Sequence, residues 1–270
     1  VGRIAVAVGS GLNNEAAGNK TMDLQGKVCL ITGGTRGIGA ATAIALAELG
    51  ADVALAARNL DDEAKSVARR IELLGRRPLF IAADVARPED AIRCVDQTAA
   101  EFGGVDVLIH SAGGPVPGGI LEVTPEEWMR AFDFHVHAAF HLCRRAIPLM
   151  QKKHEGAIVL ISSSAGRRGC PGNTAYQAVK GALPQFARAL ARDFAADNIR
   201  VNVVAPGVIR TRFHDSMTEA TRKNNLDNRI PLRREGTSEQ VAKLIREVVT
   251  NDYITGETFC IDGGLTMRIA

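Results

Sequence analysis

Aromatic residues are few in this sequence, with one Trp, two Tyr and nine Phe among 270 residues. Charge of either sign is also nearly absent in excess, because 33 Lys and Arg stand against 30 Asp and Glu. A nucleic-acid surface needs clustered basic residues, and a single-strand surface adds aromatic stacking platforms. Here the basic runs stop at pairs such as Arg167-Arg168 and Arg233-Arg234, so no nucleic-acid partner is expected. No apolar run approaches the ~18 residues of a membrane-crossing helix, and no membrane partner is expected. The five cysteines (Cys29, Cys94, Cys143, Cys170 and Cys260) are odd in number, widely spaced and form no Cys-x-x-Cys pair. That excludes a disulfide framework and a structural zinc site, and it points to a reducing, cytoplasmic compartment. His137 and His141 stand one helical turn apart, but helix-face histidines more commonly serve a surface or interface, and no metal is expected.

What is present begins after a short preamble. Ile4-Ala5-Val6-Ala7-Val8 is shorter than the roughly 7–15-residue core of a signal peptide, and a polar, Gly-rich stretch follows it. Residues 1–22 are expected to be a flexible extension ahead of a start at Met22, and 23–270 a single domain. From Lys27 onward, short β-branched runs alternate with amphipathic stretches. The runs are Val28–Thr32, Val53–Ala56, Leu79–Ala82, Val107–Ile109, Ala157–Ile161, Val201–Val204 and Thr258–Ile261. Helices are predicted over 38–49, 60–74, 88–101, 125–151, 174–196 and 238–249. Strands apolar on both faces, each followed by a helix, imply a parallel sheet covered on both sides. Right-handed crossovers then give an α/β, doubly wound, Rossmann-type sheet whose ligand crevice lies at the carboxyl ends of the strands.

Thr32-Gly33-Gly34-Thr35-Arg36-Gly37-Ile38-Gly39 lies between the first strand and the first helix. A pyrophosphate at a helix N-terminus needs a tight turn and close backbone approach, which Gly33, Gly37 and Gly39 permit. The spacing Gly-x-x-x-Gly-x-Gly differs from the common dinucleotide fingerprint. An acidic residue that grips a ribose 2′-hydroxyl belongs at the end of the second strand, but the sequence there is Ala56-Ala57-Arg58-Asn59. Arg58 and Arg36 suit a 2′-phosphate instead, which favours NADP(H) and leaves NAD(H) open. Tyr176 and Lys180, at i and i+4, share a helix face. A neighbouring ammonium favours a phenolate over the ordinary phenol, whose pKa is near ~10. The pair follows Ser162-Ser163-Ser164 at the end of a strand.

Over about 24–267 the chain resembles the short-chain dehydrogenase/reductase family, in its compact single-domain branch. The motifs that carry the likeness are Thr32-Gly33 through Gly37-Ile38-Gly39, Asp84-Val85, Ala112-Gly113, Ser163, Tyr176-x-x-x-Lys180, Asn202-x-Val204-x-Pro206-Gly207-x-x-x-Thr211 and Ile261-Asp262-Gly263-Gly264. The resemblance implies an NADP(H)-dependent oxidoreductase that interconverts a carbonyl and a secondary alcohol, with Tyr176 as general acid/base. Lys180 would hold the nicotinamide ribose and depress the tyrosine pKa, and Ser163 would hydrogen-bond the substrate oxygen. Thr35 and Ile38 belong to the glycine turn, and Asp84 and Val85 would border the adenine. Ala112 and Gly113 would let backbone pass the cofactor, while Pro206, Gly207, Ile209 and Thr211 would bind the nicotinamide amide and phosphates. The family's usual Asn-Asn before Ala-Gly is His110-Ser111 here, and its catalytic Asn aligns with His135. His135 is expected to carry a proton relay that changes charge near neutral pH.

The family likeness is strongest to 3-oxoacyl-carrier-protein reductases and to sugar or polyol dehydrogenases. A polar segment over 211–228, matching the family's substrate lid, favours a hydrophilic small-molecule or acyl-carrier-linked substrate. One of Arg167 and Arg168 is expected to meet an anionic group on it. Pairing of the helices at 125–151 and 174–196 with symmetry mates would give a homotetramer. The alternatives are a non-catalytic dinucleotide-binding paralogue and an NAD-dependent sugar or polyol dehydrogenase. The intact Ser163, Tyr176 and Lys180 weigh against the first.

Overall fold

The computed structural model describes residues 21–267 apart from Ser216; the expected extension lies outside that range except for its last two positions. Seven strands pair in parallel: β1 (Val28–Thr32), β2 (Asp52–Ala57), β3 (Pro78–Ala82), β4 (Val107–His110), β5 (Gly156–Ile161), β6 (Ile199–Pro206) and β7 (Thr258–Ile261). Their order is β3-β2-β1-β4-β5-β6-β7. The chain winds outward from β1 in one direction, then returns to add β4 on the other side. That reversal opens a crevice beyond the carboxyl ends of β1 and β4.

Strand alternation sends successive residues to opposite faces, and each face has its own core. Leu30, Leu108, Ile158 and Leu160 pack under α3 (Pro88–Phe102), α5 (Ala138–Gln151) and α6 (Thr174–Phe194). Cys29, Ile31, Ile109, Val159 and Ile161 pack under α1 (Gly37–Ala47), α2 (Asp62–Leu73) and α8 (Ser238–Thr250). Each of the Leu, Ile and Val side chains among them, removed from water, contributes about 1.5–3 kcal/mol. Met22 is buried, and its N–H donates to Thr250 O at 2.8 Å. The folded domain therefore reaches one residue into the expected extension, because Met22 covers the end of α8.

The predicted continuous helix over 125–151 is interrupted. Thr124 and Glu127 form a capping box at the start of α4 (Pro125–Phe132), with Pro125 at the first helical position. A π-helical turn over Asp133–His137 then leads into α5. Such turns bulge a helix by one residue and are frequent at functional sites; this one turns His135 into the protein. α6 contains Pro184, which has no N–H to offer the carbonyl of Lys180 four residues earlier. Ser162 Oγ donates to that carbonyl instead, at 2.6 Å. A side chain on Gly166 would lie 2.8 Å from the same oxygen. The end of β5 is thereby held directly against the turn of α6 that carries Lys180.

Between β6 and α8 the chain makes a separate excursion that includes α7 (Glu219–Asn224). Its two ends meet: Arg210 N–H donates to Gly236 O and Gly236 N–H to Val208 O, both at 2.9 Å. The buried carboxylate of Glu235 accepts from Arg210 Nε at 3.2 Å and from Arg222 Nε, in α7, at 2.8 Å.

Candidate active site

The glycine turn after β1 closes against β4. Gly33 has φ +66°, and a side chain there would stand 2.9 Å from the Ala112 backbone. Gly39 packs on the turn itself, since a Cβ would lie 2.1 Å from Gly33 O. Gly39 thus shapes the turn without lining the cleft. Gly33, Thr35, Arg36, Gly37 and Ile38 do line it, together with the N-terminus of α1, where unpaired N–H groups favour an anion.

The cleft encloses about 1650 Å³, more than the roughly 300–1,000 Å³ of an ordinary small-ligand pocket. At one end it is bordered by Arg58, Asp84 and Val85, and in the middle by Ala112, Gly113, Pro206, Gly207, Ile209 and Thr211. Ser163, Tyr176 and Lys180 line the same cleft. The side chains predicted for both cofactor and catalysis thus converge on one space, with His135 and Gly39 just behind its wall.

Ser163 ends the β5 run and accepts from Ala165 N–H at 3.2 Å, which fixes its oxygen. Lys180 is buried; its ammonium donates to Ile161 O at 2.8 Å and sits 5.7 Å from the Tyr176 ring centre. Burial pushes the Lys180 pKa down to about 7. The Tyr176 ring faces the cleft, and its dense surroundings push the phenol up to about 12, with the Ser163 hydroxyl pulling it back down. Within the protein alone, desolvation therefore outweighs the lowering expected from Lys180, and Tyr176 is a protonated acid at neutral pH.

Two buried imidazoles back this pair. Thr32 Oγ1 accepts from Ala112 N–H at 3.3 Å and is hydrogen-bonded to His110 Nδ1 at 2.8 Å. His110 Nε2 is buried and makes no hydrogen bond among the described residues. His135 Nε2 donates to Gly114 O at 3.2 Å, and its buried Nδ1 has no hydrogen-bond partner among the described residues. A side chain on Gly113 would lie 3.4 Å from His135 Nδ1 and 3.5 Å from Lys180 Nζ, so both nitrogens face the same small space. Burial and the Lys180 charge push His110 down to about 3 and His135 to about 2. The expectation of a His135 that changes charge near neutral pH is corrected: burial and the nearby Lys180 charge keep it neutral.

Phe213, Phe134 and Met217 were not singled out in the sequence. Phe213, from the excursion after β6, packs 5.8 Å from the Tyr176 ring centre, and Phe134 and Met217 line the cleft beside it. Arg167 points away, to Cys260 Sγ at 3.2 Å. Arg168 reaches the cleft wall, with Nε donating to Thr266 O at 2.9 Å. His137 pairs with Asp133 at 2.8 Å, and His141 stacks edge-on against Phe140. At the far end Arg36 is ion-paired with Asp61 and lies 3.6 Å from Glu63. These carboxylates stand a few residues past the end of β2, where only Arg58 and Asn59 had been weighed.

A family model for enoyl-(acyl carrier protein) reductase matches residues 33–266. A 3-oxoacyl-acyl-carrier-protein reductase of Chlamydia muridarum is 35% identical over 245 residues, spanning 90% of this chain and 98% of that protein. The chain belongs to the short-chain dehydrogenase/reductase family. An uncharacterized oxidoreductase of Mycobacterium tuberculosis is 37% identical, over 90% of this chain and 93% of that one. Among solved structures, L-sorbose reductase of Gluconobacter frateurii, complexed with NADPH and L-sorbose, superposes with TM-score 0.85 at 31% identity, over 92% of this chain and all of that chain. As a short-chain dehydrogenase/reductase, the protein is an NAD(P)-dependent oxidoreductase acting between CH–OH and carbonyl groups. No helix among the described residues is long and apolar enough to cross a membrane.

Proposed function

We propose that this enzyme is an NADP(H)-dependent carbonyl reductase and secondary-alcohol dehydrogenase with Tyr176 as its general acid/base. The observation that carries the reading is the convergence of Ser163, Tyr176 and Lys180 on the cleft that the glycine turn also lines. The dinucleotide fits the residues present, since the Gly33 turn leaves no room for a side chain and the α1 N-terminus opens on the cleft. When bound, it supplies or accepts the hydride. Gly33, Thr35, Gly37 and Ile38 would hold its pyrophosphate, Asp84 and Val85 its adenine, and Arg36 and Arg58 a 2′-phosphate. Ala112, Gly113, Pro206, Gly207, Ile209 and Thr211 would line its nicotinamide half.

The protein's own steps follow from its geometry. Ser163 Oγ positions the carbonyl oxygen, and Tyr176, protonated, donates to it as charge develops. The Lys180 ammonium supplies the proton that restores the phenol, with the neutral Nδ1 of His135 as a hydrogen-bond acceptor beside it. Phe213, over Tyr176, keeps bulk water from the reacting atoms. For the substrate, the acyl-carrier-protein reductases among the relatives and the L-sorbose complex among the neighbours support an acyl-carrier-linked or polyhydroxylated compound. Arg168 at the cleft wall suits an anionic group on it. A homotetramer is supported by Phe140, Ile147, Phe186, Leu190 and Phe194, which border an apolar groove across α5 and α6.

The test is NADPH consumption against a panel of 3-oxoacyl thioesters, ketoses and simple ketones, with Tyr176→Phe as control. That variant is expected to keep cofactor affinity and to lose turnover by about 10²–10⁴, as for a lost acid/base group. Near-normal kcat in Tyr176→Phe would overturn the mechanism.

A further inference from the structure

The arginines that line the cleft differ in their partners. Arg36, Arg210 and Arg212 are ion-paired, with Asp61, Glu235 and Glu63. Arg58, Arg168 and Arg229 have no carboxylate partner among the described residues. Arg58 stands at the end bordered by Asp84, but Arg168 and Arg229 flank one turn at the catalytic end. Arg168, in the loop from Ser163 into α6, donates through Nε to Thr266 O at 2.9 Å. On the other flank, the residues after Arg229 press on the same turn. A side chain on Gly263 would lie 2.8 Å from Ile230 Cγ2, and Leu232 N–H donates to Gly263 O at 3.1 Å. Arg229 itself donates through Nη1 to Oδ1 of the buried Asn225 at 2.9 Å. Asn225 Nδ2 in turn meets the sulfur of Met217 at 3.5 Å, just beyond the Phe213 ring that packs on Tyr176.

Each arginine is thus anchored through a neutral acceptor, which fixes the fork and leaves its charge uncompensated. The only carboxylates among the described residues that line the cleft are Glu63 and Asp84, both at the far end. Asp262, in the flanked turn, spends its carboxylate on Gly264 N–H at 2.9 Å and on Thr266 N–H and Oγ1 at 2.9 and 2.6 Å. A cleft lined by one sign of charge concentrates ligands of the other.

We propose that Arg168 and Arg229 clamp a free carboxylate of the substrate, which makes the substrate a small oxo acid and the product of its reduction the hydroxy acid. The inference rests on the carbonyl-reductase reading above and names its substrate class. Two planar forks match the two oxygens of a carboxylate, and Phe134, Phe213 and Met217 offer an apolar wall to the carbon chain. The phosphate of a carrier arm has similar charge, but the whole pantetheine chain separates it from the reacting carbon. The carboxylate takes no part in the bond changes: the ketone carbon gains the hydride that the reduced dinucleotide gives up, and its oxygen gains the Tyr176 proton.

The experiment compares kcat/KM for 3-oxobutanoate, 4-oxopentanoate and 5-oxohexanoate with those for their methyl esters, which keep the skeleton and remove the charge. The phosphopantetheine thioester of 3-oxobutanoate is the third arm. For at least one chain length the acid is expected to be favoured by about tenfold or more, through KM, and less so as salt rises. Arg168→Gln and Arg229→Gln should each lower the acid-to-ester ratio by about tenfold, as for a lost hydrogen bond to a charged group. Because both substrates are assayed on one preparation, a folding defect cannot mimic a change in the ratio. Acids no better than their esters, or a ratio unchanged in either variant, overturns the clamp and leaves carbonyl reduction standing. A thioester that outruns the free acid and is weakened in both variants assigns the arginines to a carrier phosphate, and likewise overturns it. Reduction of no carbonyl with either dinucleotide overturns the reading above as well.

Discussion

Burial lowers the pKa of Lys180 and of the two histidines, and each shift leaves a signature in stability. An unfolded Lys180 keeps its proton up to about 10.5, whereas the folded one loses it near 7. Between those values the unfolded chain binds the extra proton, so stability rises with pH, and the full cost of burying the ammonium is felt below pH 7. Lys180→Met is therefore expected to melt above wild type at pH 6, by about 2–4 °C for each kcal/mol recovered. The two curves should converge as pH approaches 10. A lower melting point at pH 6 would show that the bond to Ile161 O outweighs desolvation. His110 and His135 work in the opposite range: the unfolded imidazoles take protons below about 6.5, while the folded ones refuse them down to about 3 and 2. Unfolding free energy should fall on acidification by about 1.4 kcal/mol per pH unit for each imidazole. In urea melts from pH 6 to 4, His135→Asn should show a shallower slope than wild type; equal slopes would mean that His135 is protonated in the fold. Such side chains differ in how far they can be read from sequence. Tyr176, Lys180 and Ser163 are tied to a helical spacing and a strand end, both visible in one dimension. Asp61 and Glu63 reach Arg36 only because α2 turns back beside the glycine turn, and nothing in their spacing signals it.

Helices show the same division. The predicted boundaries of α1, α3, α6 and α8 fall within about two residues of those observed, the usual scatter of helix ends, because caps and glycines mark them. The π turn at Asp133–His137 left no such mark: an inserted residue changes the phase of a helix without requiring Pro or Gly. Pro184 was visible, but its use was not. Rather than only kinking α6, it frees the Lys180 carbonyl for Ser162 Oγ. A double-mutant cycle isolates this. With Pro184 present, Ser162→Ala leaves a buried carbonyl unsatisfied and is expected to cost about 1–3 kcal/mol. With Pro184→Ala restoring an N–H to that carbonyl, the same change should cost less than half as much. Equal costs in the two backgrounds, from chemical denaturation, would refute the coupling.

At the scale of the molecule, the parallel sheet and its crevice were legible because burial on both faces writes continuous β-branched runs, and here every residue of β1, β4, β5 and β6 is buried. Assembly leaves a fainter trace, since an interface groove looks like a helix that is apolar on a second side. Phe140 is 41% exposed on that groove, and the enzyme is expected to sediment at four times its chain mass at micromolar concentration. Phe140→Glu should shift it to smaller species, and a wild-type monomer would refute the assignment. The excursion after β6 has a different bearing. Its two ends are stapled together by Ile209 and Gly236 and by the Glu235 carboxylate. Closing a loop whose ends already meet costs little more when the loop lengthens. Apart from Thr211, Phe213 and Arg222, the stretch from Thr211 to Arg234 can therefore be shortened or replaced at little cost in loop closure. What this scaffold recognises can be changed there while the sheet, the turn and the Tyr176 helix are left as they are.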